Sequence, residues 1–176
     1  MVIKNTKRLV IDTSVLTSVS EVSEHSKNCR EFLETARKIC HRVVITKDLY
    51  NEWNKHSSYF SKKWLGSMLD RSDKKVYFAE IQPHKDIQEL IYQRCSSVRN
   101  YESMMKDMLL IEAALVSDRI IISLDEEARK LFTGLSANCD ELKKVVWLNP
   151  NKPDENPISW LKQGAPPDEH RMLGCT

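Results

Sequence analysis

Four short apolar runs break up a chain that otherwise carries its hydrophobic residues at helical spacing. Lys7 to Asp12, with Leu9, Val10 and Ile11 in succession, predicts a strand buried on both faces. Val43 to Thr46, Arg119 to Ser123 and Lys144 to Leu148 predict three more. Phe32, Leu33, Ala36 and Ile39 share one face of a helix over Ser26 to Ile39. A second helix follows Val43–Thr46, capped by Thr46 or Asp48, with Leu49, Glu52 and Trp53 in its first turns. Helices are also expected over Ser58 to Leu69, Ile87 to Cys95, Tyr101 to Val116 (capped by Asn100) and Glu126 to Phe132. Thr13-Ser14 and Ser117-Asp118 read as polar turns. Val76 to Ile81 reads equally as an edge segment or a loop. Beyond Pro150 the tail is rich in proline, with one short helix around Ile158 to Lys162.

Strands alternating with helices imply a parallel sheet covered on both faces. The expected fold class is therefore α/β: three layers, α/β/α, around a mostly parallel sheet of four to five strands. At 176 residues the chain makes one domain. Residues 1–149 form its body, and 150–176 a C-terminal extension of the same domain.

Composition narrows the picture. Hydrophobic residues are 41% and charged residues 30%, which argues against disorder. Net charge is only +2, so any attraction to nucleic acid must be local. The five cysteines include no C-x-x-C pair, so neither a zinc ribbon nor a redox motif is suggested, and reduced thiols in the cytoplasm are the simplest reading. The five histidines show no ligand spacing and read as surface or structural residues. No segment reads as a signal peptide. The longest apolar candidate for a membrane span, Met104 to Val116, is broken by Lys106, Asp107 and Glu112. No membrane association is expected.

Four acids carry the candidate chemistry. Asp12 closes the first apolar run and Asp125 follows the third; Glu52 and Asp107 sit on helices. Sites in open α/β sheets form beyond the carboxyl ends of the strands, so the four can meet there. Converging carboxylates repel one another and take up protons. A hard divalent cation removes that cost, because it seeks carboxylate oxygen and water. Taken singly, each acid has a plainer explanation. Asp12 would start a turn, Glu52 would be a solvated helix acid, and Asp125 would cap the next helix. Asp107 is harder to explain away, because Met104, Met108 and Ile111 share much of its face.

The pattern resembles a PIN domain. The matching segments are Leu9-Val10-Ile11-Asp12-Thr13-Ser14-Val15-Leu16, Ile45-Thr46-Lys47-Asp48-Leu49-Tyr50-Asn51-Glu52-Trp53, Lys106-Asp107-Met108-Leu109-Leu110-Ile111-Glu112-Ala113-Ala114-Leu115 and Ile121-Ile122-Ser123-Leu124-Asp125. Their order and spacing are similar to the family from residue 7 to about residue 148. The resemblance implies a nuclease dependent on Mg²⁺ or Mn²⁺ that cuts RNA phosphodiester bonds. Asp12, Glu52, Asp107 and Asp125 would be its catalytic and metal-binding acids, supported by Ser14 and Ser123. Asp12 and Asp107 would ligate directly. Glu52 and Asp125 would bind directly, bind through water or hold the attacking water. Glu126 offers a substitute for Asp125. The extra length between Glu52 and Asp107, and the tail, depart from the family's small toxin members.

The resemblance leaves several roles open: a toxin restrained by an antitoxin or other regulatory protein, an RNA-processing enzyme, or a defence nuclease. It also implies self-association into a homodimer. The alternatives are an RNA-binding or scaffold protein without catalysis, and a DNA flap nuclease or exonuclease of related fold. For RNA contact the candidates are Lys55, Lys62, Lys63 and Arg71. They belong to a stretch from Trp53 to Val76 that has six basic residues against two acids. Tyr59, Phe60 and Trp64 are interleaved, as in surfaces that stack bases, or else they belong to the core.

Overall fold

The computed structural model describes residues 6–19, 23–39, 41–70 and 75–175. The buried runs form a five-stranded sheet. It comprises β1 (Arg8–Ile11), β2 (Arg42–Ile45), β3 (Val76–Phe78), β4 (Ile120–Ile122) and β5 (Val146–Leu148), in the order β3-β2-β1-β4-β5. Every pairing is parallel. Leu9, Val10, Ile11 and the three isoleucines of β4 are at most 1% exposed, as strands covered on both faces must be.

Nine helices are described: α1 (Thr13–Ser18), α2 (Glu24–Lys38), α3 (Lys47–His56), α4 (Tyr59–Leu69), α5 (Lys85–Arg94), α6 (Val98–Leu115), α7 (Glu126–Ser136), α8 (Asp140–Lys143) and α9 (Pro157–Lys162). They cover the sheet, giving the expected three-layer α/β/α fold. After β1 the chain steps to β2 and then β3, and afterwards returns to the far side of β1 as β4. The order therefore reverses between β1 and β4, the position where such sheets form a crevice at their carboxyl ends.

Local structure follows the sequence reading with some differences. Thr46 caps α3, its hydroxyl accepting the Leu49 N–H at 3.1 Å. Val76–Phe78 is an edge strand, with Val43 opposite Val76 and Ile45 opposite Phe78. Thr13-Ser14 is no turn, because α1 starts directly after Asp12. Asn100 does not cap α6. Ser97 does, accepting the Asn100 N–H at 3.1 Å, and so adds Val98 and Arg99 to the helix. Those residues are exposed and carry no apolar period to announce them. α7 continues to Ser136, and α8, at four residues, is too short for periodicity to reveal.

The segment after Pro150 packs into the body. Trp160, Leu161, Ala165 and Leu173 are buried. Leu173 N–H donates to the Val145 carbonyl at 2.9 Å, and Met172 bridges Val146 antiparallel. This strap lies along the free edge of β5. Among the described residues, no helix is long and apolar enough to cross a membrane.

Trp147 is fully buried on β5 and stacks on Phe132, with ring centroids 6.3 Å apart. Its indole N–H has no hydrogen-bond partner among the described residues. A buried donor left unpaired costs about 1–3 kcal/mol. Trp147→Phe therefore loses packing but sheds an orphaned donor. The expected net cost is about 1 kcal/mol or less, read from the urea midpoint.

Candidate functional site

β1 delivers Asp12 to the crevice. Its backbone N–H continues the ladder to β4, donating to the Ile122 carbonyl at 2.9 Å. Its backbone carbonyl accepts the Val15 N–H at 3.1 Å and starts α1. The side chain does no capping. Instead Oδ2 accepts two hydroxyls, Ser14 Oγ at 2.5 Å and Ser123 Oγ at 2.7 Å. Each hydroxyl also accepts a backbone N–H from the loop after β4. Leu124 N–H donates to Ser14 at 3.2 Å, and Asp125 N–H to Ser123 at 3.1 Å. A hydroxyl has one proton, and with an N–H donor on its other side that proton goes to Asp12. The two serines thus fix the carboxylate against the β4 loop.

Asp125 combines two placements. Its Oδ1 caps α7, accepting the Ala128 N–H at 2.8 Å, while the exposed side chain lines the same cleft as Asp12. The capping explanation is therefore correct, and it leaves the second oxygen for the cleft. Asp107 arrives from α6, whose Met104, Met108 and Ile111 are buried beside it. It is half-buried and makes no hydrogen bond or ion pair among the described residues. Burial, then the charges of Asp12 and Asp125, push its carboxyl from the ordinary 3.8 up to about 7, against a small opposing effect of Lys106.

Glu52 reaches the cleft from α3 by a different route. Trp53 Nε1–H donates to the Ile11 carbonyl at 3.1 Å and pins the helix to the end of β1. The Glu52 carboxylate takes the Lys55 ammonium at 2.8 Å, and that hydrogen bond holds its pKa below the usual value. Asp12 and Asp125 thus both act on Asp107 electrostatically, while Glu52 lines the wall with its own counter-charge. Glu126 does not substitute for Asp125. Asn149 and Lys152 hold its carboxylate at 3.0 and 2.5 Å, away from the cleft.

The basic residues expected to contact RNA are divided. Lys55 is paired with Glu52. Lys62 and Lys63 are exposed on α4 and do not line the cleft. Arg71 lies outside the described residues. Of the interleaved aromatics, Trp64 is core, its Nε1–H donating to the Leu33 carbonyl at 2.8 Å. Phe60 is partly buried beneath the Arg30 guanidinium, 5.2 Å from the ring centroid. Tyr59 is 83% exposed. His41 is structural, as expected, accepting from Lys7 N–H and bonded to the Leu161 carbonyl.

The cleft has a volume of about 540 Å³, and residues the sequence reading left aside also line it: Lys106, His56, His25, Thr17 and Ser18. Two of these had a signal. Lys106 adjoins Asp107, and His56 lies one helical turn beyond Glu52, on the same face.

All four acids line this one cleft, and the donor set is carboxylate oxygen, which hard divalent cations take. Asp107 has no competing partner among the described residues, and its raised pKa is the penalty a cation would remove. On these grounds the residues fit Mg²⁺ or Mn²⁺. Among the described residues no three acidic, histidine or cysteine side chains are already grouped to hold an ion. Binding one therefore requires side-chain rotation toward it. Comparison with models of known protein families finds none that matches the chain, and comparison with curated proteins likewise finds no match.

Proposed function

We propose that the chain is a metal-dependent endoribonuclease, similar to PIN-domain enzymes, that hydrolyses RNA phosphodiester bonds with Mg²⁺ or Mn²⁺. It would act as the toxin of a toxin–antitoxin pair, or in RNA processing or defence. One observation carries the reading. Asp107, half-buried and unpaired among the described residues, feels both Asp12 and Asp125, from the ends of two strands far apart in sequence. A fold that only needed stability gains nothing from that repulsion.

Asp12, Asp107 and Asp125 would hold the ion, with Glu52 completing the set or orienting water. Bound there, the ion lowers the pKa of its water and neutralises phosphate charge. The chain's own work is positional. Ser14 and Ser123 saturate one oxygen of Asp12 and turn the carboxylate toward the cleft. Asp125 is held by its cap on α7.

The test is cleavage of a labelled single-stranded RNA by the purified chain in Mn²⁺, with EDTA and with a matching DNA in parallel. Cleavage of RNA that EDTA abolishes is expected. Cleavage indifferent to EDTA sinks the metal mechanism, preference for DNA shifts the substrate class, and binding without cleavage favours a scaffold. Ser123→Ala removes one of the two hydroxyls on Asp12 and leaves the Asp125 N–H unpaired. It is expected to slow cleavage about ten-fold, the equivalent of about 1.4 kcal/mol, in single-turnover assays.

A further inference from the structure

The cleft has unlike walls. On the α1–α2 side lie hydroxyls and one imidazole but no lysine or arginine, with Thr17 bonding back to the Thr13 carbonyl, Ser18 to the Val15 carbonyl, and His25 coming from α2. On the α3–α6 side lie His56 and Lys106. Lys106 is exposed, makes no hydrogen bond or ion pair among the described residues, and acts electrostatically on both Asp107 and Glu52. His56 also acts on Glu52. Lys55, also on α3, does not line the cleft and is engaged by Glu52.

A polyanion approaching four carboxylates is repelled by them. A divalent ion offsets that repulsion only at the reacting phosphate, and the neighbouring phosphates need cations of their own. Lys62 and Lys63, on α4, do not line the cleft and cannot meet those phosphates there.

We propose that Lys106 and His56 form the phosphate-gripping wall of the cleft, holding the backbone of single-stranded RNA beside the acids on the α3–α6 side. Lys106 supplies a mobile ammonium to a non-bridging phosphate oxygen, and His56 donates a ring N–H to the adjacent phosphate. Neither takes part in bond breaking. The proposal rests on the nuclease reading for the identity of the polymer.

Binding separates it from that reading. Asp12→Asn serves as host, and its affinity for a fluorescein-labelled oligouridylate is measured by anisotropy in Mg²⁺ over a series of salt concentrations. Adding Lys106→Gln is expected to weaken binding about 3- to 10-fold and to lower the salt slope by roughly 0.7, the value for one lost single-strand phosphate contact. Lys106→Arg restores most of the affinity. His56→Gln weakens binding by a few-fold, and Lys62→Gln leaves it unchanged. If wild type cleaves RNA but Lys106→Gln binds as tightly as its parent, this wall is wrong and the nuclease reading survives. If wild type does not cleave but Lys106 still controls binding, the reverse holds. Failure of the host to bind the oligomer, or equal losses from Lys62→Gln, also overturns the wall.

Discussion

Asp12→Asn is expected to slow Mn²⁺-dependent RNA cleavage at least about a thousand-fold, roughly 4 kcal/mol of barrier, with little change in folding. The hydrogen bonds around Asp12 explain why both halves of that expectation hold. Ser14 and Ser123 each donate to Oδ2. An asparagine can present its amide oxygen to the same two hydroxyls and keep the connection to the β4 loop. Its amide nitrogen then faces the cleft where a carboxylate oxygen stood. A hard cation finds an N–H donor instead of a ligand. Single-turnover rates on labelled RNA, beside thermal midpoints of both proteins, check this. Activity within ten-fold of wild type at an unchanged midpoint would remove Asp12 from the chemistry.

Without divalent ions the fold should lose stability as pH rises from about 4 to about 7, and Mn²⁺ should restore it. The sign follows from Asp107. Its folded pKa, about 7, lies above the ordinary 3.8. Below 3.8 both folded and unfolded chains carry the proton, and the fold bears no cost. Between the two values the unfolded chain has released the proton while the folded chain retains it, so stability falls with pH. Above about 7 the folded carboxyl ionises and the loss is complete. One pH unit corresponds to about 1.4 kcal/mol. The full displacement would cost roughly 4 kcal/mol, which water screening at a half-buried group reduces to about 2 kcal/mol. Urea midpoints at pH 5 and pH 8, in EDTA and in Mn²⁺, measure it. Asp107→Asn should flatten the pH dependence and make the metal-free protein the more stable of the two at pH 8. A pH loss that persists in Asp107→Asn would assign the effect to another group.

Much of this was legible in the sequence because the sheet centre is buried on both faces. Leu9-Val10-Ile11 and Ile120-Ile121-Ile122 cannot read as anything but strand or short buried helix, and the chain following each run must emerge at one end of the sheet. That placed Asp12 and Asp125. Asp107 was visible as a charge among Met104, Met108 and Ile111. What sequence did not carry was direction. Glu52 lines the cleft as its helix face requires, yet only the structure shows its carboxylate turned to Lys55. Lys62 and Lys63 were read as RNA contacts from local charge density, which does not say which way α4 points its exposed face, and they do not line the cleft. Lys106 and His56 were not marked as cleft residues because single basic residues on helices are usually solvated. The two-hydroxyl bracket on Asp12 needed the β1–β4 pairing, a contact across more than a hundred residues.

The strap formed by Met172 and Leu173 also bears on how the protein behaves when crowded. These residues cover the outer strand of the sheet. Peeled away, they would present β5 as an unprotected template for other chains. A substitution that loosens the strap is therefore expected to promote aggregation before it unfolds the body.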